Sequence, residues 1–342
     1  YLLPYTLMLL FHGPISDGIG RIKTMQWGLL LFFFASIGCA LSTTIESLWF
    51  FRALQGIGGG AGSVVARAMV RDLYEGAEAQ RVMATVQILF GIAPAIAPMI
   101  GGLLLGFHWQ GIFIFLALYA AVSIYMGSKI LPETMTKNML VPITFTGIIE
   151  RYKSLLINKE FILLILSVSA NFSAFFIYVL ASPVFLIDHL GFTAQQFGYL
   201  FIPTVSGMLI GSFISKKTAG VIKPSSVLKF GYYFMFCIAL SNLLFCSFMP
   251  DNAFFNIGFI ALYNIGMASV MPIISLAGLD CFPKIRGTAA SGQAFTQMLF
   301  ASATAGILVP IVWFSTFGLS LGLFFLISFG LFTITKTNLW NK

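Results

Sequence analysis

Long apolar stretches recur along this chain between short polar ones, and no stretch alternates with the period of two that a half-buried strand requires. The runs read as helices at about 2–15, 25–41, 48–66, 83–107, 111–131, 161–187, 197–214, 227–248, 253–275, 291–313 and 317–334, which is about eleven spans. One run departs from the others. Within the apolar stretch 88–107 the chain reads Ala-Pro-Ala-Ile-Ala-Pro-Met-Ile-Gly-Gly from Ala93 to Gly102. Each proline removes a backbone donor and crowds the preceding turn, which a soluble helix tolerates poorly and a membrane helix tolerates well. At 100° per residue Pro94 and Pro98 lie roughly 40° apart, and Gln87, Gly91, Gly101 and Gly102 fall close to that line. The pattern is a stripe of small residues, suited either to a bent packing helix or to a hinge or seal between moving halves.

Composition turns these runs into membrane spans. Hydrophobic residues make up 58% of the chain and charged ones 9%, a balance that excludes an ordinary soluble domain. The formal net charge of +8 sits in alternate loops: Arg21 and Lys23; Arg67, Arg71 and Arg81; Lys129, Lys137, Arg151, Lys153 and Lys159; Lys216, Lys217, Lys223 and Lys229; Lys284 and Arg286; Lys336 and Lys342. The intervening loops hold Glu46, His108, Asp188, His189 and Asp251 and neither Lys nor Arg. By the positive-inside rule the basic loops and the C-terminus are expected to be cytoplasmic, so the charge describes a membrane face and not a nucleic-acid surface. The chain starts at Tyr1, inside a helix that runs inward. The expectation is therefore a fragment of a protein of about twelve spans, one leading helix being absent.

Between the first two runs stands Gly13-Pro-Ile-Ser-Asp17-Gly-Ile-Gly20-Arg21-Ile-Lys23, expected to be a tight loop that pairs its own charges. A topogenic loop explains Arg21 and Lys23 but not Gly13, Asp17 and Gly20. The spacing resembles the signature loop of the major facilitator superfamily. A second match follows in Arg52-Ala-Leu-Gln55-Gly56, where Arg52 falls within a predicted span roughly 9 Å from its outer end, whereas Lys129 and Lys229 sit where their spans meet the basic loops. A guanidinium there either snorkels or faces a wet cavity or an acid. Arg-x-x-Gln-Gly resembles the superfamily's fourth-helix motif, associated with proton transfer in drug exporters. Ala97-Pro98-x-x-Gly101-Gly102 resembles the fifth-helix antiporter motif, with Ala97 where many relatives carry Gly. Together with Ala66-Arg67-x-x-x-Arg71-Asp72 and Leu131-Pro-Glu133-Thr134, the pattern is similar to the Bcr/CflA group of drug:proton antiporters.

This resemblance implies an all-α integral membrane protein of the major facilitator fold, with two pseudo-symmetric six-helix bundles and about eleven of twelve helices present. The expected division is an N-terminal bundle at 1–131, a cytoplasmic linker at 132–160 with an amphipathic helix from Ile148 to Leu156, and a C-terminal bundle at 161–342. The second half echoes the first at an offset of about 200 residues. Gly207 and Gly211 precede Ser215-Lys216-Lys217, with Ser215 where an acid would stand, and Arg286 to Gln293 echoes Arg81 to Gln87. Gly207 and Gly211 are expected to receive the stripe of Pro94 and Pro98 by close packing.

The implied mechanism rocks two halves about a central site. Asp17 is expected to close the cytoplasmic gate against the N-terminus of the helix carrying Ser291, assisted by the helix macrodipole, while Arg21 and Asp72 form a charge relay. No acid lies within a predicted span. Group members usually carry the titrating acid in the first helix, so Arg52 is expected to be its partner. Substrate contacts are sought among Gln55, Gln87, Asn171, Tyr178, Asn264 and Gln293, each equally able to bond between helices. Cys39, Cys237, Cys246 and Cys281 lack metal-ligand spacing, and no phosphate-binding Gly-Lys-Ser/Thr loop is present. No cofactor is expected; the proton gradient supplies the energy. The expected function is proton-coupled export of small amphiphilic drugs or toxic compounds by a monomer in the bacterial inner membrane, the alternative being export of an endogenous metabolite or siderophore. An enzyme would need clustered catalytic groups within the spans, and a channel a charged or carbonyl-lined ring.

Overall fold

The computed structural model describes residues 1–106, 108–193, 196–249 and 252–341, apart from the side chains of Pro94, Ala95, Pro98 and Met99. Phe107, Asp251, Lys342 and the side-chain packing expected of Pro94 and Pro98 lie outside the described residues. Every expected run corresponds to helix, and no strand occurs among the described residues. In chain order the helices are α1 (Leu2–Ile19), α2 (Arg21–Ala40), α3 (Ile45–Gly59), α4 (Ala61–Leu73), α5 (Gly76–Leu105), α6 (Gln110–Ile130) and α7 (Phe145–Ile157). There follow α8 (Lys159–Leu180), α9 (Gly198–Thr218), α10 (Pro224–Phe248), α11 (Ala253–Asp280), α12 (Arg286–Ala303), α13 (Val309–Val312), α14 (Thr316–Thr335) and α15 (Asn338–Asn341). Among the described residues, eight helical segments are long and apolar enough to cross a membrane. The chain is a multi-pass membrane protein.

Two boundaries differ from the sequence reading in ways that matter for the site. The polar loop expected from Gly13 to Lys23 is almost entirely helical, and the break between α1 and α2 is Gly20 alone, at φ 106° and ψ 157°. Only glycine occupies that region without strain. The turn holds because the Glu133 carboxylate accepts the Arg21 and Ile22 backbone N–H groups at 2.9 and 3.0 Å, satisfying first-turn donors of α2 that have no helical partner. The second difference lies one span later. The run at 48–66 is two helices broken at Gly60, and α4 carries Arg67, Arg71 and Asp72, which were expected in a turn. Charged residues at a helix end lower local hydropathy without interrupting the helix, so an apolar run underestimates its length.

Contacts divide the chain into two compact units that interleave along the sequence. One comprises Tyr1–Tyr74, Ile96–Asn158 and Leu279–Phe295; the other comprises Glu75–Ala95, Lys159–Gly278 and Thr296–Lys342. In the first unit α2 packs on α3 and α6, α1 packs on α2, α3 and α4, and Met25, Val65 and Met69 form a buried cluster against Ile22 and Leu29. In the second, α14 packs on α8 and α10, and α9 lies so close to α11 that a Cβ at Gly207 would strike the Ala261 carbonyl and one at Gly211 the Ile265 carbonyl. Without a hydrophobic drive between helices in lipid, such close approach of small residues is what holds the spans together.

Candidate functional site

Asp17 stands near the end of α1 and is wholly buried. A carboxylate withdrawn from water needs a full set of donors, and Asp17 has four. Its Oδ1 accepts from Arg21 Nη1 at 2.6 Å and from the Gly287 backbone N–H at 3.0 Å, and its Oδ2 accepts from the Thr288 backbone N–H and the Thr288 hydroxyl, both at 2.7 Å. Gly287 and Thr288 lie in the first turn of α12, where backbone donors lack helical partners and the macrodipole favours negative charge. The helix opens at Arg286, five residues before the expected Ser291. Ser291, one turn further on, accepts the Gly13 N–H at 2.7 Å. Gly13 and Gly287 make this approach possible: a Cβ on Gly13 would strike the Gly287 carbonyl, and one on Gly287 would crowd Asp17 Oδ1 at 2.6 Å.

A second carboxylate extends the assembly. Asp72, at the end of α4, accepts from Arg21 Nε at 3.0 Å and from Arg286 Nη1 at 3.1 Å, while Thr134 donates to it at 3.1 Å. The Arg21 guanidinium, 1% exposed, therefore lies between two acids, and Asp72 ties α2 and α4 to the first residue of α12. More exposed, Arg71 Nε donates to Asp280 Oδ1 at 2.6 Å. The sequence reading brought Asp17, Arg21 and Asp72 together; it gave no such role to Arg286, Thr288, Glu133 or Asp280. Arg286-Gly-Thr carries a usable signal, since a base followed by glycine at a helix start suits a buried acid, but the sequence reading takes Arg286 as a basic-loop residue and the stretch as an internal repeat.

Arg52 lies half-buried on α3 within the first unit. Its guanidinium carbon sits 4.5 Å from the centroid of the Tyr1 ring and 5.8 Å from that of Phe113, and Nη1 donates to Gln55 Oε1 at 2.8 Å. Gln55 in turn donates to Ser36 Oγ at 2.7 Å, so a polar chain runs from the cation across to α2. Among the described residues no carboxylate lies within ion-pair distance of Arg52. Two aromatic faces and one amide hold this charge.

Gly207 and Gly211 turn to α11, and the packing expected between them and the side chains of Pro94 and Pro98 lies outside the described residues. Helix α5 nevertheless meets α9 by other residues: Gly91 faces Met208 at 3.6 Å, Gln80 Nε2 donates to the Ser215 carbonyl at 3.0 Å and its hydroxyl at 3.4 Å, and Arg81 donates to the Ala219 carbonyl at 2.9 Å. Further along, Ala97 is exposed, and a Cβ at Gly101 or Gly102 would meet open space. A glycine pair at i, i+4 marks a face for close approach but does not say which neighbour fills it.

The proposed substrate side chains are mostly engaged inside the bundles. Asn171 donates to Tyr232 Oη at 2.8 Å, Tyr178 accepts from Asn242 at 3.1 Å, and Asn264 donates to the Thr204 carbonyl at 3.4 Å. Gln55 is spent on Arg52 and Ser36, Gln293 is buried, and Gln87 is half-buried. Among the described residues no group of three His, Cys, Asp or Glu side chains is placed to hold a metal ion.

Comparison with known proteins agrees with this geometry. The family model described as Major Facilitator Superfamily matches residues 1–310. The Bicyclomycin resistance protein homolog of Haemophilus influenzae is 28% identical over 82% of this chain and 71% of its own length. Multidrug resistance protein D of Escherichia coli is 27% identical over 84% of this chain and 72% of its own, and the uncharacterized MFS-type transporter YdgK of Bacillus subtilis is 33% identical over 66% and 56%. The chain thus spans between 56% and 72% of these relatives. Among solved structures, the human organic anion transporter MFSD10 (TETRAN) superimposes with TM-score 0.75 at 18% identity, over 97% of this chain and 80% of that one. The proton:xylose symporter XylE gives TM-score 0.76 at 14% identity, over 97% and 82%. The fold is therefore that of these transporters, and the chain belongs to the Major Facilitator Superfamily.

Proposed function

We propose that this chain is a proton-coupled exporter of small amphiphilic drugs or toxic compounds, of the Bcr/CflA kind, working by alternating access as a monomer. Its place is the bacterial inner membrane, with the basic loops and the C-terminus in the cytoplasm and no cofactor beyond the proton gradient. The observation that carries the reading is the Asp17 contact. A buried carboxylate seated on the first turn of α12 and ringed by Arg21, Thr288 and Gly287 is strong when complete and poor when one partner withdraws. It suits a cytoplasmic gate that is either shut or open. The names of the relatives, resistance to bicyclomycin and to multiple drugs, support the substrate class.

Arg52 supplies the coupling side of this reading. A guanidinium held between Tyr1 and Phe113, with no carboxylate partner among the described residues, favours the ionised form of any acid brought beside it and releases that preference on withdrawal. Gln87, half-buried on α5, is our choice for a cargo contact among the six candidates. Pro94, Ala97, Pro98, Gly101 and Gly102 keep the role of an antiporter motif that seals the path against proton leak.

Everted vesicles from an efflux-deficient bacterial host expressing the native gene test the proposal. A lipophilic cationic dye should accumulate under an imposed pH gradient, the accumulation should collapse with a protonophore, and Asp17→Asn should insert normally while transporting poorly. Flux that follows voltage and ignores the pH gradient would overturn the reading in favour of a channel. A growth-inhibition panel separates drugs from an endogenous metabolite or siderophore.

A further inference from the structure

Pro14 lies inside α1, so it offers no N–H to the Leu10 carbonyl four residues earlier, and that oxygen has lost its helical donor. A substitute reaches it from outside the helix. The hydroxyl of Tyr152, on the amphipathic helix α7, donates to the Leu10 carbonyl. The Ser291 side chain of α12 acts on the same phenol, and Ser291 Oγ accepts the Gly13 N–H at 2.7 Å. Four groups therefore close a circuit. Tyr152 gives its proton to the Leu10 carbonyl, Gly13, one residue before the proline, gives its N–H to Ser291, and Ser291 acts in turn on the phenol. Burial, reinforced by the nearby Asp17 charge, raises the Tyr152 phenol above the ordinary tyrosine range, so it stays protonated and remains a donor at working pH. Around this circuit α7 is anchored independently: Arg151 Nη2 donates to the Pro142 carbonyl, and the Thr144 side chain caps the helix by accepting the Gly147 N–H at 3.1 Å.

We propose that Tyr152 is a positioning residue of the gate, its hydroxyl replacing the donor that Pro14 removes so that docking of α7 and closure of Asp17 upon α12 occur as one event. The inference rests on reading the Asp17 contact as a gate. A linker helix held only by its apolar face would follow the gate passively. One that completes a backbone hydrogen bond of α1 while touching α12 must be released before the gate opens, and it sets how often that happens.

Amide hydrogen exchange on the full chain in lipid nanodiscs tests this without any transport assay. In Tyr152→Phe, which keeps the ring and deletes only the hydroxyl, peptides from α1, α7 and the first turns of α12 should all exchange about tenfold faster, as expected when a buried acceptor loses its donor. Unchanged exchange, or acceleration confined to α7, would overturn the coupling. Pro14→Ala restores the missing N–H, and in that background Tyr152→Phe should accelerate α1 by no more than about twofold. An undiminished effect there would show that the Leu10 carbonyl is not what the phenol serves. Ser291→Ala is the second background: the α12 response to Tyr152→Phe should vanish while the α7 response persists, and a persistent α12 response counts against the circuit. In vesicles Tyr152→Phe should change the maximal rate several-fold and leave the apparent affinity alone. Absence of all transport would count against the proposed activity, whereas the exchange results alone judge the latch.

Discussion

The spacing Gly13-x-x-x-Asp17 on α1 recurs as Gly211-x-x-x-Ser215 on α9, and the two copies are used in different ways. In the first unit Asp17 is a buried anion that receives four hydrogen bonds, three of them from the first turn of α12. In the second unit Ser215 is equally buried but neutral, and it meets α5 through the Gln80 amide. The glycines diverge as well, since Gly13 faces α12 and Gly211 faces α11. Charge-assisted hydrogen bonds are roughly twice as strong as neutral ones, and a desolvated charge makes each remaining partner indispensable. A contact built on Asp17 is therefore close to all-or-none, whereas one built on Ser215 weakens by degrees. Two halves of common pattern have acquired one stiff fastening and one compliant one.

Breaking the first fastening should have the largest effect. Asp17→Ala strands Arg21 and the α12 donors, and removal of one partner from a buried charged pair costs about 3–5 kcal/mol; the thermal unfolding midpoint in detergent should fall sharply and vesicle transport should drop below roughly a tenth of normal. A variant as stable as the native chain would end the contrast. Gly287→Ala comes next, because its new methyl must displace Asp17 or Arg21, and overpacking of this kind costs about 1–3 kcal/mol; the same unfolding scan reads it. On the compliant side, Ser215→Ala removes one neutral partner of Gln80 and should cost about 0.5–1.5 kcal/mol with transport nearly normal. A loss matching that of Asp17→Ala would make the two fastenings equivalent. Glu133→Gln is the mildest, since it leaves one acceptor oxygen for the Arg21 N–H, lets water replace the other at the exposed Ile22 N–H, and removes the charge at the start of α2, an effect of about 0.3–1 kcal/mol that added salt should shrink.

The spans were largely legible because they follow from strong local signals. Apolar runs marked the helices, and the resemblance of the Gly13 to Arg21 spacing to a family motif pointed Asp17 toward the start of the helix that carries Ser291. What escaped depended on which helices become neighbours. Glu133 holds the first turn of α2 from more than a hundred residues away, Arg286 shares Asp72 with Arg21, and Tyr152 completes a helix that Pro14 interrupts. No periodicity announces a long-range partner. The glycines of α9 teach the same lesson from the other direction: their spacing announced close packing, but α11 as the neighbour that fills it could not be read from the spacing. Helix ends were also misjudged, since Asp17, Arg67 and Asp72 continue helices that hydropathy alone terminates.

One residue, Gly20, is the whole connection between α1 and α2. Each amino acid added there would turn the second helix about its axis by roughly 100° and lengthen the path by about 1.5 Å, swinging Arg21 away from both acids at once. The angular phase between these two rods is thereby locked, and the signature sequence can be understood as a gear tooth whose length matters as much as its chemistry. Side chains elsewhere on such a frame can be exchanged one at a time, but an insertion or deletion at that corner would strip Arg21 from Asp17 and Asp72 together.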